Sequence, residues 1–337
     1  MINTDSVSVI MPIYNEEKHI KKALDCIINQ TWNKNIEIII VDNESKDNTL
    51  ALIEEVKAAL PENITIRVFT NNIRNIPKSL NMACQEASND VIIRIDGHTY
   101  APLNYVEECV KTLKAIDFKG VVGGRCVIKS NSESLMAEAI AIGVRSKVGI
   151  GNAAYRNLSD TETSLLDVDT VPFGGFTKSL WNDIGGYDEN LPFDEDYDYN
   201  YRAKQKGYRV VLNPRIVLDY FARKNLKLLS KQYFNYGYWA NKFCIKHKII
   251  PSFRRLVPLV FILSLIITPF IHLLLFNSII ISYILVILAA AIYEGIIKRK
   301  NPLLTLNILL TFITLHFSYG IGSLLSVVNE VVNKIKN

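Results

Sequence analysis

Acidic residues stand at three places where the chain passes from one regular element to the next. Asp42 closes the apolar run IEIIIVD (36–42). Asp96 closes VIIRID (91–96) and is followed by Gly97 and His98. The triplet DED (194–196) opens a stretch with helical spacing. A single aspartate after a strand is usually a turn former, and one before a helix is usually a cap. Three such sites in one chain can do chemistry together. Carboxylates and an imidazole at strand ends can hold a divalent cation. A carboxylate in the first turn of a helix, where the dipole favours its ionised form, can take a proton from a hydroxyl.

The elements that must position these residues alternate. Residues 7–11, ended by Pro12, together with 36–42, 64–69 and 91–96, read as buried or alternating strands, while 17–28, 48–60 and 77–87 carry helical spacing. This predicts βαβ units, an α/β fold and a mainly parallel sheet, whose ligands bind at the carboxyl ends of the strands. Beyond it the pattern predicts a helix at 103–116, a strand at 121–128, a polar mobile loop region at 130–170, a helix at 195–206 and a short strand at 209–212.

The chain has 337 residues, 49% hydrophobic and 21% charged, with a net charge of +5. Those averages conceal a gradient. Residues 256–293 and 301–329, runs of 38 and 29, contain no Asp, Glu, Lys or Arg. Such runs read as membrane spans, two or three of them, expected here at about 256–276 and 279–297 as a hairpin, with 303–328 as the third. They argue against a purely soluble enzyme, a disordered chain, a collagen or a disulfide scaffold. Residues 223–255 hold nine Lys or Arg and no acid, which leaves residues 1–222 at −7. A basic belt beside a span, rich in Tyr, Phe and Trp at 226–247, suits a helix lying on an anionic lipid bilayer rather than a nucleic-acid partner.

The predicted organisation is a domain at 1–222, an interfacial segment at 223–255 and a membrane domain at 256–337. Basic clusters before the first span and after the second put both on the cytoplasmic side of a multi-pass protein; the inner (cell) membrane is the expected location. The apolar run at 7–11 is too short for a leader core. Five widely spaced cysteines fit reduced core thiols. His272 and His316 fall in the apolar spans, where a neutral histidine bonded between helices is the ordinary reading and a functional group the other.

VSVIMPIYNE (7–16) followed by IIVDNESKDNT (39–49) resembles the opening of the family 2 glycosyltransferases. RIDGH (94–98), FGGF (173–176), GGYDE (185–189), DEDYDYNYR (194–202) and QYFNYG (232–237) resemble one branch, that of the succinoglycan chain-elongating glucosyltransferases. The resemblance implies a Rossmann-like, GT-A type nucleotide-sugar fold with a divalent metal, Mn²⁺ or Mg²⁺, on the donor diphosphate. It implies that Pro12, Tyr14 and Glu16 embrace base and ribose, that Asp42 pairs with the uracil edge, and that Asp96 meets ribose or diphosphate. The common Asp-x-Asp metal motif is here Asp96-Gly97-His98, which gives the second ligand position to His98 and leans toward Mn²⁺. The alternative leaves Asp96 as the metal ligand and His98 as a turn residue. Asp196 aligns with the family's base, with Glu195 the alternative, and Gly174 and Gly175 with a loop near the acceptor. Gln232 opens a stretch similar to the Gln-x-x-Arg-Trp motif of processive synthases, without its Arg and Trp.

The implied activity is an inverting, membrane-anchored transfer of a sugar from a nucleotide-sugar, a UDP-sugar first among them, to a polyprenyl-diphosphate-linked saccharide in exopolysaccharide or surface-glycan synthesis. The alternatives are a processive polysaccharide synthase and a nucleotide-sugar-binding membrane protein without transfer activity.

Overall fold

The computed structural model describes residues 2–151, 154–158 and 162–336. In chain order the first elements are β1 (Ser6–Ile13), α1 (Ile20–Ile28), β2 (Asn35–Asp42), α2 (Thr49–Lys57), β3 (Ile64–Thr70), α3 (Ile76–Glu86), β4 (Val91–Arg94), α4 (Tyr105–Ala115) and β5 (Gly120–Lys129). Next come α5 (Leu135–Gly143), α6 (Lys147–Ile150), α7 (Ala154–Asn157), β6 (Leu166–Asp167), β7 (Gly174–Thr177), α8 (Lys178–Ile184), α9 (Glu195–Gln205) and β8 (Arg209–Phe221). The remainder is helical: α10 (Leu226–His247), α11 (Phe253–Ile271), α12 (Leu273–Ile292), which ends in a π-helical turn (Tyr293–Ile297), and α13 (Pro302–Lys336). The chain divides into two compact units, residues 1–127 with 158–219, and residues 128–157 with 220–337. The second unit thus takes residues 128–157 out of the span that the sequence assigns to the catalytic domain.

The first unit is built on an eight-stranded sheet of order β3-β2-β1-β4-β7-β5-β8-β6. Strands β1 to β4 run parallel, and the expected α/β sheet is found there. Both faces of β1, β2 and β4 are covered, so they read as near-continuous apolar runs, whereas β3 at the end of the sheet alternates; Val7, Val9, Ile10, Met11 and Ile38 to Val41 are fully buried. Strand β7 enters antiparallel between β4 and β5, which makes the sheet mixed. Glu37, within β2, accepts from Ser8 Oγ at 2.7 Å, Ser88 N and Oγ at 2.9 Å and Arg67 Nη1 at 3.0 Å, so no lone pair is wasted in the core.

Several expectations need correction. Pro12 does not end β1, which continues to Ile13 in register with Asp42. The neighbour β4 stops at Arg94, opposite Ile10, so the missing N–H of Pro12 faces a side that β4 has already left. Residues 130–170 are not a continuous loop: they contain α5, capped by Ser134 Oγ and buried along Ala137 to Gly143. The strand expected at 209–212 is 13 residues long.

In the second unit α10 packs along α13 through small residues. A Cβ on Gly237 would lie 2.0 Å from the Tyr319 carbonyl oxygen, and one on Gly322 2.1 Å from that of Phe234. Asn241 Nδ2 donates to the Ser323 carbonyl at 3.0 Å. Three helices are long and apolar enough to cross a membrane: Phe253–Ile271, Leu273–Ile297 and Pro302–Lys336. The expected turn near Asn277 and Ser278 lies instead at His272, whose backbone is extended and whose Nδ1 accepts from Leu275 N at 3.2 Å. Ser278 sits inside α12 and satisfies its hydroxyl on the Leu274 carbonyl at 2.8 Å. The third helix overruns the expected 303–328 to Lys336. His316 bridges α13 to α12 and α6, with Nδ1 3.2 Å from Tyr283 Oη and Nε2 2.8 Å from the Val148 carbonyl.

Gly237→Ala tests the close helix approach. The added methyl meets backbone rather than a flexible side chain, so we expect a loss of about 1–3 kcal/mol, read as a lower Tm of the detergent-solubilised protein.

Candidate active site

The parallel strands deliver three loops to one edge of the sheet. After β1 the chain turns through Tyr14, Asn15 at φ 54° and Glu16. This loop is laced to the one after β2: Asn15 N donates to Ser45 Oγ at 2.9 Å, Lys46 N to Asn15 Oδ1 at 2.8 Å, and Glu16 N to Thr49 Oγ1 at 2.8 Å. Tyr14 is not a core aromatic. It is 38% exposed, and the Arg74 guanidinium lies 4.5 Å from its ring centre. Pro12 is buried in β1. Asp42 is 1% exposed, with its carboxylate turned inward to accept from Ser45 N at 3.1 and 3.2 Å and from Ser45 Oγ at 2.6 Å. It builds the turn, and its oxygens are not presented to solvent.

The loop after β4 carries Asp96, Gly97 and His98. A Cβ on Gly97 would lie 2.8 Å from Ile13 Cγ2 and 3.1 Å from Glu16 Cγ, so the glycine is what lets this loop close on the end of β1. The closure brings His98 Nδ1 to 2.8 Å from Glu16 Oε1. Glu16, expected at the nucleoside, therefore orients the imidazole.

The centre of the site is a residue the candidate set does not contain. Arg94, the last residue of β4, is 3% exposed at its side chain and gathers three carboxylates. Its Nε and Nη2 meet Asp96 at 2.8 and 3.1 Å, Nη1 meets Asp196 Oδ1 at 2.7 Å, and Nη1 and Nη2 meet Glu195 Oε1 at 3.3 and 3.2 Å. Glu195 and Asp196 occupy the first turn of α9, as the helical spacing predicts. Asp194 stands at the N-cap in the left-handed conformation, φ 61°, but its side chain makes no capping hydrogen bond. The signal for Arg94 was present in VIIRID, a charged side chain in the middle of an apolar strand.

Gly174 and Gly175 are not in a loop. They form the start of β7, opposite Arg94 and Ile93 of β4. Gly174 has φ +100°, and a Cβ there would lie 2.6 Å from the Val122 carbonyl oxygen, so only glycine allows β7 to slot between β4 and β5. The preceding Phe173 holds its ring 5.6 Å from the Arg94 guanidinium and its N–H 3.4 Å from Asp196 Oδ2. Gln232 belongs to the second unit, where its Nε2 donates to Tyr220 and Tyr236 Oη, each at 2.9 Å.

One guanidinium does not neutralise three carboxylates. Burial raises Asp196 to about 7, against the pull of Arg94 and with further push from Glu195 and Asp96. Burial also raises Glu195. Burial works against the Arg94 charge, but Asp196, Asp96 and Glu195 outweigh it and hold its pKa well above the usual value. A carboxyl near 7 is matched to proton abstraction at neutral pH.

Among the described residues no cluster of three His, Cys, Asp or Glu is placed to hold a metal. The two expected donors, Asp96 and His98, nevertheless fit a divalent ion that shares a diphosphate. Each Asp96 oxygen accepts one N–H from Arg94 and keeps a second lone pair. The carboxylate behind the His98 ring fixes its orientation, as carboxylates do for ligating imidazoles. Two protein donors leave the remaining positions of such an ion to phosphate oxygens and water.

Comparison with known proteins decides the family. The pattern of "Glycosyl transferase family 2" matches residues 8–164. The chain is 31% identical, over 93% of its length and 95% of the relative's, to the dolichyl N-acetyl-alpha-D-glucosaminyl phosphate 3-beta-D-2,3-diacetamido-2,3-dideoxy-beta-D-glucuronosyltransferase of Methanococcus voltae. The chain belongs to glycosyltransferase family 2. It is also 26% identical to the succinoglycan biosynthesis protein ExoA of Rhizobium meliloti, over 77% of this chain and 76% of that one. Among solved structures, the mannosyltransferase PcManGT of Pyrobaculum calidifontis shares the fold, with a TM-score of 0.59 at 17% identity over 93% of this chain and 86% of that one. This glycosyltransferase carries Glu195 and Asp196 beyond the stretch that the family pattern matches.

Two outcomes follow. For a reaction that needs Asp196 ionised the sign of the pH effect is positive: kcat/KM should rise with pH through an apparent pKa near 7 and flatten above it, and this step should vanish in Asp196→Asn. Arg94→Met leaves three carboxylates without their cation and should cost about 3–5 kcal/mol, measured as a fall in Tm far larger than that of Asp96→Asn.

Proposed function

We propose that this enzyme is a membrane-anchored, inverting glycosyltransferase that moves a sugar from a nucleotide-sugar, a UDP-sugar first among them, to a lipid-linked saccharide. The observation that carries the reading is the gathering of Asp96, Glu195 and Asp196 on one buried guanidinium. This supports a shared site for the proposed donor-side residue Asp96 and the proposed base, which are far apart in the chain.

Asp196 is the proposed base. Its side chain keeps 24% exposure against 15% for Glu195, and a raised pKa suits it to accept a proton. It takes the proton of the acceptor hydroxyl while that oxygen attacks the anomeric carbon, and the bond from that carbon to the diphosphate breaks on the opposite face. Arg94 orients Glu195 and Asp196, and Glu16 orients His98. A divalent ion, when bound at Asp96 and His98, supplies Lewis-acid neutralisation of the leaving diphosphate. The imidazole ligand favours Mn²⁺ over Mg²⁺. The Pyrobaculum calidifontis neighbour was solved with GDP-Man and Mn²⁺.

The acceptor reading is supported by the Methanococcus voltae relative, named for transfer to a dolichyl-linked sugar phosphate, and by the Rhizobium meliloti one, named for succinoglycan biosynthesis. Anchoring is supported by the three apolar helices. Arg254 and Arg255 at the start of α11, and Lys298 to Lys300 after α12, favour a cytoplasmic active site at the inner membrane.

The test is release of nucleoside diphosphate by the solubilised enzyme from UDP-glucose, UDP-galactose, UDP-N-acetylglucosamine and GDP-mannose, with Mn²⁺, Mg²⁺ or EDTA. One donor should turn over with metal, faster with Mn²⁺, and a lipid-linked saccharide should raise the rate. Asp196→Asn should lose about 10²–10⁴-fold, and Asp96→Ala should lose metal dependence with activity. Binding of donor without turnover, even with lipid-linked acceptor, would sink the catalytic reading. Products that lengthen from one priming event would make the enzyme processive.

A further inference from the structure

Two arginines are treated differently: Arg94 is buried, and Arg156 is half-buried with its Nε enclosed. Arg94 meets three carboxylates. Arg156, on α7 in the second unit, meets none among the described residues. Its Nη1 donates to Tyr233 Oη at 3.5 Å, the rings of Tyr155 and Tyr220 lie 5.3 and 5.5 Å from its guanidinium carbon, and its Nε is buried without a hydrogen-bond partner. Beside it Gln232 links Tyr220 and Tyr236 and accepts from Arg223 Nε at 3.3 Å. Arg223 likewise has no carboxylate partner among the described residues, and the sequence has no Asp or Glu from 220 to 293. The phenols supply no counter-charge: burial pushes Tyr233 up to about 12.

A guanidinium whose Nε is buried without a partner, and which faces no carboxylate among the described residues, is costly and is not how a chain secures a fold. It is how a site awaits an anionic ligand. We propose that Arg156, with Arg223, Gln232 and the hydroxyls of Tyr233 and Tyr236, binds the phosphoryl group of the acceptor's lipid carrier. The inference rests on the lipid-linked acceptor reading above. A guanidinium presents paired N–H donors that match phosphate oxygens, and the hydroxyls and amide around it are further donors. The cluster lies wholly within the unit that carries the three apolar helices, where a prenyl chain would be held. The donor diphosphate has its own residues, Asp96 and His98, in the first unit. The motif at Gln232 lacks an arginine in sequence, and the fold brings one to it from residue 156.

The experiment uses the full chain in detergent and follows the binding of farnesyl diphosphate, farnesol and inorganic pyrophosphate by calorimetry and by Tm. Farnesyl diphosphate should bind and raise Tm, and farnesol should do neither. Arg156→Gln should weaken farnesyl diphosphate roughly 10- to 100-fold, Arg156→Lys less, and neither should melt below wild type when unliganded. Tighter binding of farnesyl diphosphate than of pyrophosphate assigns the site to the lipid carrier, whereas equal affinity overturns that assignment in favour of a free anion. Undiminished binding in both variants overturns the site. So does a drop of several degrees in the unliganded Tm of both, which would mark Arg156 as structural. Asp196→Asn should bind farnesyl diphosphate like wild type while losing turnover, so failure of this inference and failure of the proposed reaction register in different assays.

Discussion

A buried guanidinium at the end of a central strand sets the terms for the first unit. Arg94 can sit at 3% exposure only because Asp96, Glu195 and Asp196 surround it, and those carboxylates can crowd together only because Arg94 lies between them. The exchange is uneven, three negative groups to one positive, and burial first, with the neighbouring carboxylates adding to it, raises the affinity for protons at Glu195 and Asp196. The ion cluster that holds the strand end is thus the same object as the proposed base. The strand end fixes the guanidinium, the helix start fixes two acids, and the short loop from β4 fixes the third.

Everything near this cluster is arranged to let backbones come close. Gly97 admits the Asp96 loop against Ile13 and Glu16, and Gly174 admits β7 against Val122. Strand β7 then supplies Phe173, whose ring and N–H face Arg94 and Asp196. The antiparallel insertion of β7 is therefore not an ornament on a parallel sheet; it carries the wall of the site. The loops after β1 and β2 are held by side chain to backbone hydrogen bonds, so Tyr14 stands exposed on a braced turn rather than a loose one.

The second unit follows a different rule. Its helices α10 and α13 approach closely through glycine, serine and asparagine. Within it Arg156 lies among tyrosines and, among the described residues, has none of the carboxylates that Arg94 gathers. The contrast between the two arginines is what motivates the proposed phosphoryl site.

By itself the sequence determined what local pattern can determine. Alternating apolar runs placed β1 to β4 and the helices between them within a few residues, because a strand buried on both faces has few other spellings. Charge-free runs placed three long apolar helices, and the acids at strand and helix ends marked Asp96, Glu195 and Asp196. What the tertiary structure decided is whatever depends on partners distant in the chain. Residue 94 reads as an odd charge in a strand until residues 195 and 196 arrive. Gly174 reads as a loop glycine until Val122 crowds it, and residues 130–170 read as loop until α5 finds burial. Asp42 illustrates the converse: its position was legible, but whether its oxygens face solvent or Ser45 is a rotamer and hydrogen-bond question, which no spacing along the chain encodes.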